Sequence, residues 1–335
     1  MRRTFAMMNP FESRMSRHSA ARVQLMLLGL AMLLAIPAGA VFAQSQLAPY
    51  TVVESGQRFG SLQQAVNAIG EGSGTISIAP GVWRDCAVQT QGDVAYLAEV
   101  PGKTAFDGQT CEGKAALVMR GRSMRVEGLT FQNLRLAEGN GAGIRLEHGD
   151  LTVRQTWFKD SEEGILSAED PTGTVLIERS TFSRLGRCDR GLSCAHSLYF
   201  ANYGNVIIRR SRFEEGRGGH YVKSHSTRIE VVDSSFDDSR GKTTNYMIDL
   251  SVGSTGLIAG NWFVQGKDKE NYSAFIANGA EGHKNSANGL TIKDNVARLA
   301  PGVDRNTVFF ADWTGDAVKL GANTIGAGLK PFEKR

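Results

Sequence analysis

"VIIRRSRF", residues Val206 to Phe213, decides the fold once it is set beside its neighbours. The stretch alternates apolar residues, passes through a polar pair and ends on an aromatic ring. The same order recurs as "MRVEGLTF" ending at Phe131, "LTVRQTWF" at Phe158, "VLIERSTF" at Phe182, "IEVVDSSF" at Phe236 and "LIAGNWF" at Phe263. Degenerate copies, "LTIKDNV" and "VKLGANTI", follow at Val296 and Ile325, and the successive intervals are 27, 24, 31, 23, 27, 33 and 29 residues. Helical repeats place apolar residues three and four apart, whereas these segments alternate with period two and carry Val, Ile, Thr and Phe. The repeating unit is a strand-rich coil.

A second strand accompanies each copy across a tight turn: "GIRLEHG", "GILSAE", "SLYFANYG", "HYVKSHS", "YMIDLSVG", "AFIANG" and "VFFADWTG". Short strands every 23 to 33 residues, with glycine and asparagine at the corners, predict an all-β chain folded as a right-handed parallel β-helix, a single solenoid. Coils stack about 4.8 Å apart, so the recurring Phe becomes an internal column. "SLQQAVNAI", Ser61 to Ile69, reads as a short amphipathic helix capping the first coil, with Leu62, Ala65, Val66 and Ile69 on one side. At the other end "LKPFEKR" is a polar tail, left open between cap and frayed end.

Residues 1–43 read as a signal peptide. Five arginines precede an apolar run from about Leu25 to Ile36, and Val41-Phe42-Ala43 supplies small residues for cleavage. The run is short for a membrane span, so the expected domain is 44–335, periplasmic or secreted, with no membrane association after cleavage. The net charge of +4 belongs to this leader: without its five Arg and one Glu, the chain keeps 33 basic and 33 acidic residues. That balance gives no footing for nucleic-acid binding. All four cysteines lie in the exported part, and local pairs, Cys86 with Cys111 and Cys188 with Cys194, are the simplest of three disulfide connectivities.

Over roughly residues 50–330 the chain resembles right-handed parallel β-helix proteins of the pectin-lyase-like type. The stretch from "GHYVKSHS" (Gly219 to Ser226) through "NYMIDLSVGS" and "YSAFIANGAEG" resembles a motif set of uncharacterised secreted bacterial β-helix proteins. The resemblance speaks for fold; one such architecture hosts lyases, hydrolases, epimerases and adhesins.

Aligning the coils by their turns predicts surface columns. With Ile144, Leu198, Val222 and Ile248 facing inward, Arg145, Tyr199, Lys223 and Asp249 form an outward stripe, His225 lies beside Glu147 and Ser251, and His196 lies next to His220. An outward Lys or Asp is ordinarily a solvated residue, but three of the six histidines fall within 30 residues on adjacent coils. The basic loop "GRCDRGLSC" ends two residues before His196, and the loops "GKDKEN" and "EGHKNSANG" extend later coils, as walls of a groove would.

This set suits β-elimination at a uronic acid, which needs a cation over the carboxylate, a base for the neighbouring proton and an acid for the leaving oxygen. Lys223 or His220 is the expected base, Arg145 or His225 the neutraliser and Tyr199 the acid. Arg187, Arg190, Lys267 and Lys269 are positioned to meet an anionic glycan, and Tyr203, Trp262 or Trp313 to stack on sugar. Hydrolysis needs two carboxylates. The chain has the "GH" of polygalacturonase-like relatives at Gly219-His220 but no "NTD" segment, and Asp237-Asp238 read as turn formers. The expectation is therefore a polysaccharide lyase, expected to be monomeric, with glycoside hydrolase, uronate epimerase and non-catalytic glycan-binding protein as alternatives. Calcium is a cofactor such a lyase can use. No ligand-spaced carboxylate cluster is seen for it, no carboxylate stands ready to orient zinc on the three histidines, and no metal is assigned.

Overall fold

The computed structural model describes residues 48–335; the leader read at residues 1–43 lies outside the described residues. Each coil contributes one strand to each of three sheets, of 12, 10 and 10 strands. One coil illustrates the path: Arg228–Val232 in the first sheet, Ser235–Asp237 in the second, Ile248–Leu250 in the third, then Thr255–Ala259 back in the first. The coil-to-coil pairing is parallel, and an antiparallel hairpin of Tyr50–Val52 and Gln57–Phe59 opens the first sheet.

The recurring polar pair makes the corner between the first and second sheets. Its first member takes a left-handed conformation, at Gln155, Arg179, Arg210, Asp233, Gly260 and Asp294. The second member turns inward and accepts a backbone N–H from the coil before it. Ser211 accepts from Ser180, Ser234 from Ser211, Asn261 from Ser234 and Asn295 from Asn261, at 2.9–3.3 Å. This ladder satisfies buried N–H groups that a turn would otherwise leave unpaired. It ends at Asn323, which takes the Asn295 N–H at 3.0 Å; Asn323→Ala is expected to lower stability by about 1 kcal/mol in urea unfolding.

The phenylalanine column is present and begins one coil earlier than the repeats indicate. Phe106, Phe131, Phe158, Phe182, Phe213, Phe236 and Phe263 stack with centroids 4.7–5.6 Å apart. Beyond Phe263 the register differs by one from expectation: Ala297, not Val296, continues the column into Ile325. Val296 faces outward, 39% exposed.

The helix Leu62–Ile69 covers the first coil, capped by Ser61, whose side chain accepts the Gln64 N–H, with Leu62, Ala65 and Val66 buried. The C-terminal residues do not fray: Leu329–Lys334 is the last strand of the third sheet, with Phe332 stacked on Phe310. Both disulfides form as local pairs. Cys86–Cys111 joins the approaches to two neighbouring third-sheet strands, Ala87–Gln89 and Ala115–Met119, and Cys188–Cys194 closes a short loop. No helix among the described residues is long and apolar enough to cross a membrane.

Candidate active site

The third sheet carries the site because long loops rise on both sides of it. Its strands Leu198–Phe200, Val222–Ser224 and Ile248–Leu250 pair so that Tyr199, Lys223 and Asp249 stand on consecutive rungs of its outer face. A parallel column runs beside them: Glu163, His196, His220 and Tyr246, one before the next along the stack. The rings of His196 and His220 stack at 4.9 Å, and His220 stacks on Tyr246 at 5.5 Å. Tyr199, Lys223, His196 and His220 line a cleft of about 410 Å³, together with Ser193, Cys194 and Glu281.

The histidine pair is held by backbone rather than by chance stacking. His196 Nδ1 accepts the His220 backbone N–H at 3.0 Å, which leaves its Nε2 free. That bond needs Gly219, in a left-handed conformation with φ of 63°. A Cβ there would lie 2.2 Å from the Ala195 carbonyl and 2.6 Å from His196 Nδ1. Burial, with Lys223 and His225 adding to it, lowers His196 to about 3. Burial, then His196 and Lys223, holds His220 well below the usual histidine range. Both are neutral imidazoles at neutral pH.

Asp249 anchors the other column. It is 1% exposed, accepts the Ser251 hydroxyl at 2.6 Å, and lies 3.5 Å from His220 Nε2 and 3.9 Å from Lys223 Nζ. Burial raises it to about 6, against the opposing pull of Ser251 and Lys223. Lys223 also bonds Glu281, whose second oxygen is 3.6 Å from His225 Nε2. Tyr199 lies beneath the Lys223 ammonium, 5.6 Å from ring to nitrogen, and meets His225 edge-on at 5.4 Å. Its phenol is raised, chiefly by burial, and so keeps its proton.

Several expected site residues land elsewhere. Arg145 is in the third sheet, but Leu166 occupies the rung between it and Tyr199, and its nearest partner is Glu147 at 3.6 Å. It does not join the cluster. Tyr203 cannot stack on sugar: it is fully buried, with its hydroxyl donating to the Gly149 carbonyl at 2.9 Å. Arg187 is buried and spends its guanidinium on Asp189 and the Gly139 and Ser193 carbonyls, which shapes the loop closed by Cys188–Cys194. Arg190 is half-exposed and ion-pairs with Glu162. Lys269 is not a surface charge; its side chain is fully buried against Asp238 at 3.1 Å. Asp238, read as a turn former, is the buried acceptor for Tyr221 and Thr244 as well.

Two residues of the site had no signal in the repeats. Glu281 reaches the cleft from a loop 58 residues beyond Lys223. Glu163, 3% exposed on the coil under His196, is raised well above the carboxylate range by burial. A carboxyl that folds protonated is replaceable by its amide, so Glu163→Gln is expected to stay within about 1 kcal/mol of the parent at neutral pH. A loss of several kcal/mol in urea unfolding would mean the fold uses the charged form. Among the described residues the remaining donors suit no metal cage: Cys188 and Cys194, close to Glu270, are bonded to each other, and Asp249 and Glu281 are turned to Lys223. No residue is assigned to calcium.

A parallel solenoid with a polar cleft on one sheet is the class of protein that fold and site define. The chain matches the family model described as the right handed beta helix region over residues 115–325, more than half its length, and belongs to that family. No curated protein matches it.

Proposed function

We propose that the chain is a carbohydrate-active β-helix protein that cleaves a uronate-containing polysaccharide by β-elimination. The observation that carries the reading is the meeting of a neutral imidazole, a protonated phenol and an ammonium in one cleft, at His220, Tyr199 and Lys223. Lys223, with His225 beside it, covers the substrate carboxylate and so acidifies the neighbouring carbon. His220 takes the proton from that carbon, and the C–H electron pair becomes the new double bond. The glycosidic C–O bond breaks toward oxygen, which receives the Tyr199 proton. Asp249, 3.5 Å from His220, stabilises the imidazolium as it forms. The acidic polymer is the partner in this reading, and the exported location expected from residues 1–43 is one that the two disulfides fit.

One observation favours a second reading. Asp249 and Glu281 flank the same ammonium, and two neighbouring carboxyls of which burial raises one, Asp249, to about 6 are the kind of pair a glycoside hydrolase uses. The test is to incubate the protein with acidic and neutral polysaccharides, following absorbance of unsaturated uronate ends and reducing ends together. Elimination yields both; reducing ends alone sink the lyase reading in favour of hydrolysis. No product from any polymer leaves a glycan-binding protein.

A further inference from the structure

We propose that Glu281 is the resident occupant of the cleft's carboxylate-binding place, its own carboxylate holding the position of an acidic ligand's carboxylate between Lys223 and His225 until the ligand displaces it. The inference rests on the acidic-glycan reading above. Glu281 bonds Lys223 Nζ through one oxygen and faces His225 Nε2 at 3.6 Å through the other, the two contacts assigned above to a uronate. Its backbone is fixed while its side chain is not. The Glu281 N–H donates to the Ser251 carbonyl and the Gly279 N–H to the Leu250 carbonyl, both at 2.8 Å, so the loop is tied to the Asp249 rung. Glycines on both sides, Gly279 and Gly282, adopt positive φ, turning the side chain back over the sheet. The side chain remains 48% exposed, against 11% for Lys223.

That contrast decides which partner gives way. Lys223 is walled in by the rungs above and below, whereas the Glu281 carboxylate can swing into solvent without breaking a backbone bond. Exposed ion pairs are weak, so a ligand carboxylate adding hydroxyl contacts along the cleft outcompetes it. A neutral sugar has no carboxylate to put in that place, so it neither displaces Glu281 nor gains from its removal.

The test is a titration of the whole chain and of Glu281→Gln with sodium glucuronate, with glucose as the neutral control, following the His225 imidazole by histidine-labelled NMR. Glu281→Gln is expected to bind glucuronate about fivefold or more tightly than the parent, with no gain for glucose; thermal melting checks that the variant is folded. Equal or weaker glucuronate binding overturns the proposal, as does an equal gain for glucose or a His225 signal that never saturates. Turnover plays no part in this readout. A protein that shows the gain but degrades no uronate polymer sinks the lyase reading and leaves the role of Glu281 standing; a lyase indifferent to Glu281→Gln does the reverse.

Discussion

His220→Asn is expected to lower kcat/KM on the responsive polymer by about 10²- to 10⁴-fold, the range for loss of a positioned proton-transfer group. The variant separates chemistry from architecture, because the bond that fixes His196 comes from the backbone N–H of residue 220 and survives any side chain there. What disappears is a neutral imidazole between Tyr246 and Asp249. Tyr199→Phe removes the acid and is expected to lose a comparable factor, and the double variant little more, since base and acid act in one step. A His220→Asn protein that melts near the parent and keeps activity within tenfold would remove His220 from the base role. Binding of an uncleaved oligosaccharide at unchanged affinity would place the loss in the chemical step.

The architecture was legible because one device recurs. In most copies a left-handed corner residue is followed by an inward Ser, Thr or Asn and a buried Phe, and a strand register that fails by one residue exposes an entire face. Where the device weakens, so does the reading. Ala297 is too small to mark the column, and Val296 beside it drew the register one residue away. In the site, Tyr199, Lys223 and Asp249 could be stacked from strand alignment because pairing dictates their spacing. Arg145 lies in the same column, but the strand Glu163–Ser167, read from "GILSAE", sets Leu166 between it and Tyr199 and so keeps it from the cluster. Tyr203 pairs with Asp170 just before a register irregularity between Asp170 and Thr174, a break in the pattern that alternation does not show, and its ring is buried. Glu281 arrives on the loop "EGHKNSANG", legible as a groove wall, but outside the strands no periodicity announces which of its side chains meets Lys223.

Unfolding measured at pH 8 and pH 5 is expected to separate two opposing sets of buried groups. His196 goes from 6.5 when unfolded to about 3 when folded, so its contribution is complete above pH 6.5 and is lost as pH falls through the window toward 3. At pH 5 that loss is about 2 kcal/mol, and His220, lowered by the same burial, acts in the same direction. Asp249 works oppositely. Raised from 3.8 to about 6, it binds its proton in the folded state first, so its burial costs less as pH falls from 6 toward 3.8, by about 1 kcal/mol at pH 5. Glu163, also raised, reinforces it. The wild-type profile therefore sums contributions of both signs, and only differences between variants isolate one group. Relative to the parent, His196→Asn is expected to gain about 2 kcal/mol between pH 8 and pH 5, and Asp249→Asn to lose about 1 kcal/mol over the same interval. Urea midpoints at the two pH values read both changes directly. If the two variants moved in the same direction, burial would not shift the histidine column and the aspartate in the opposite senses that the proposed proton transfer to His220 requires.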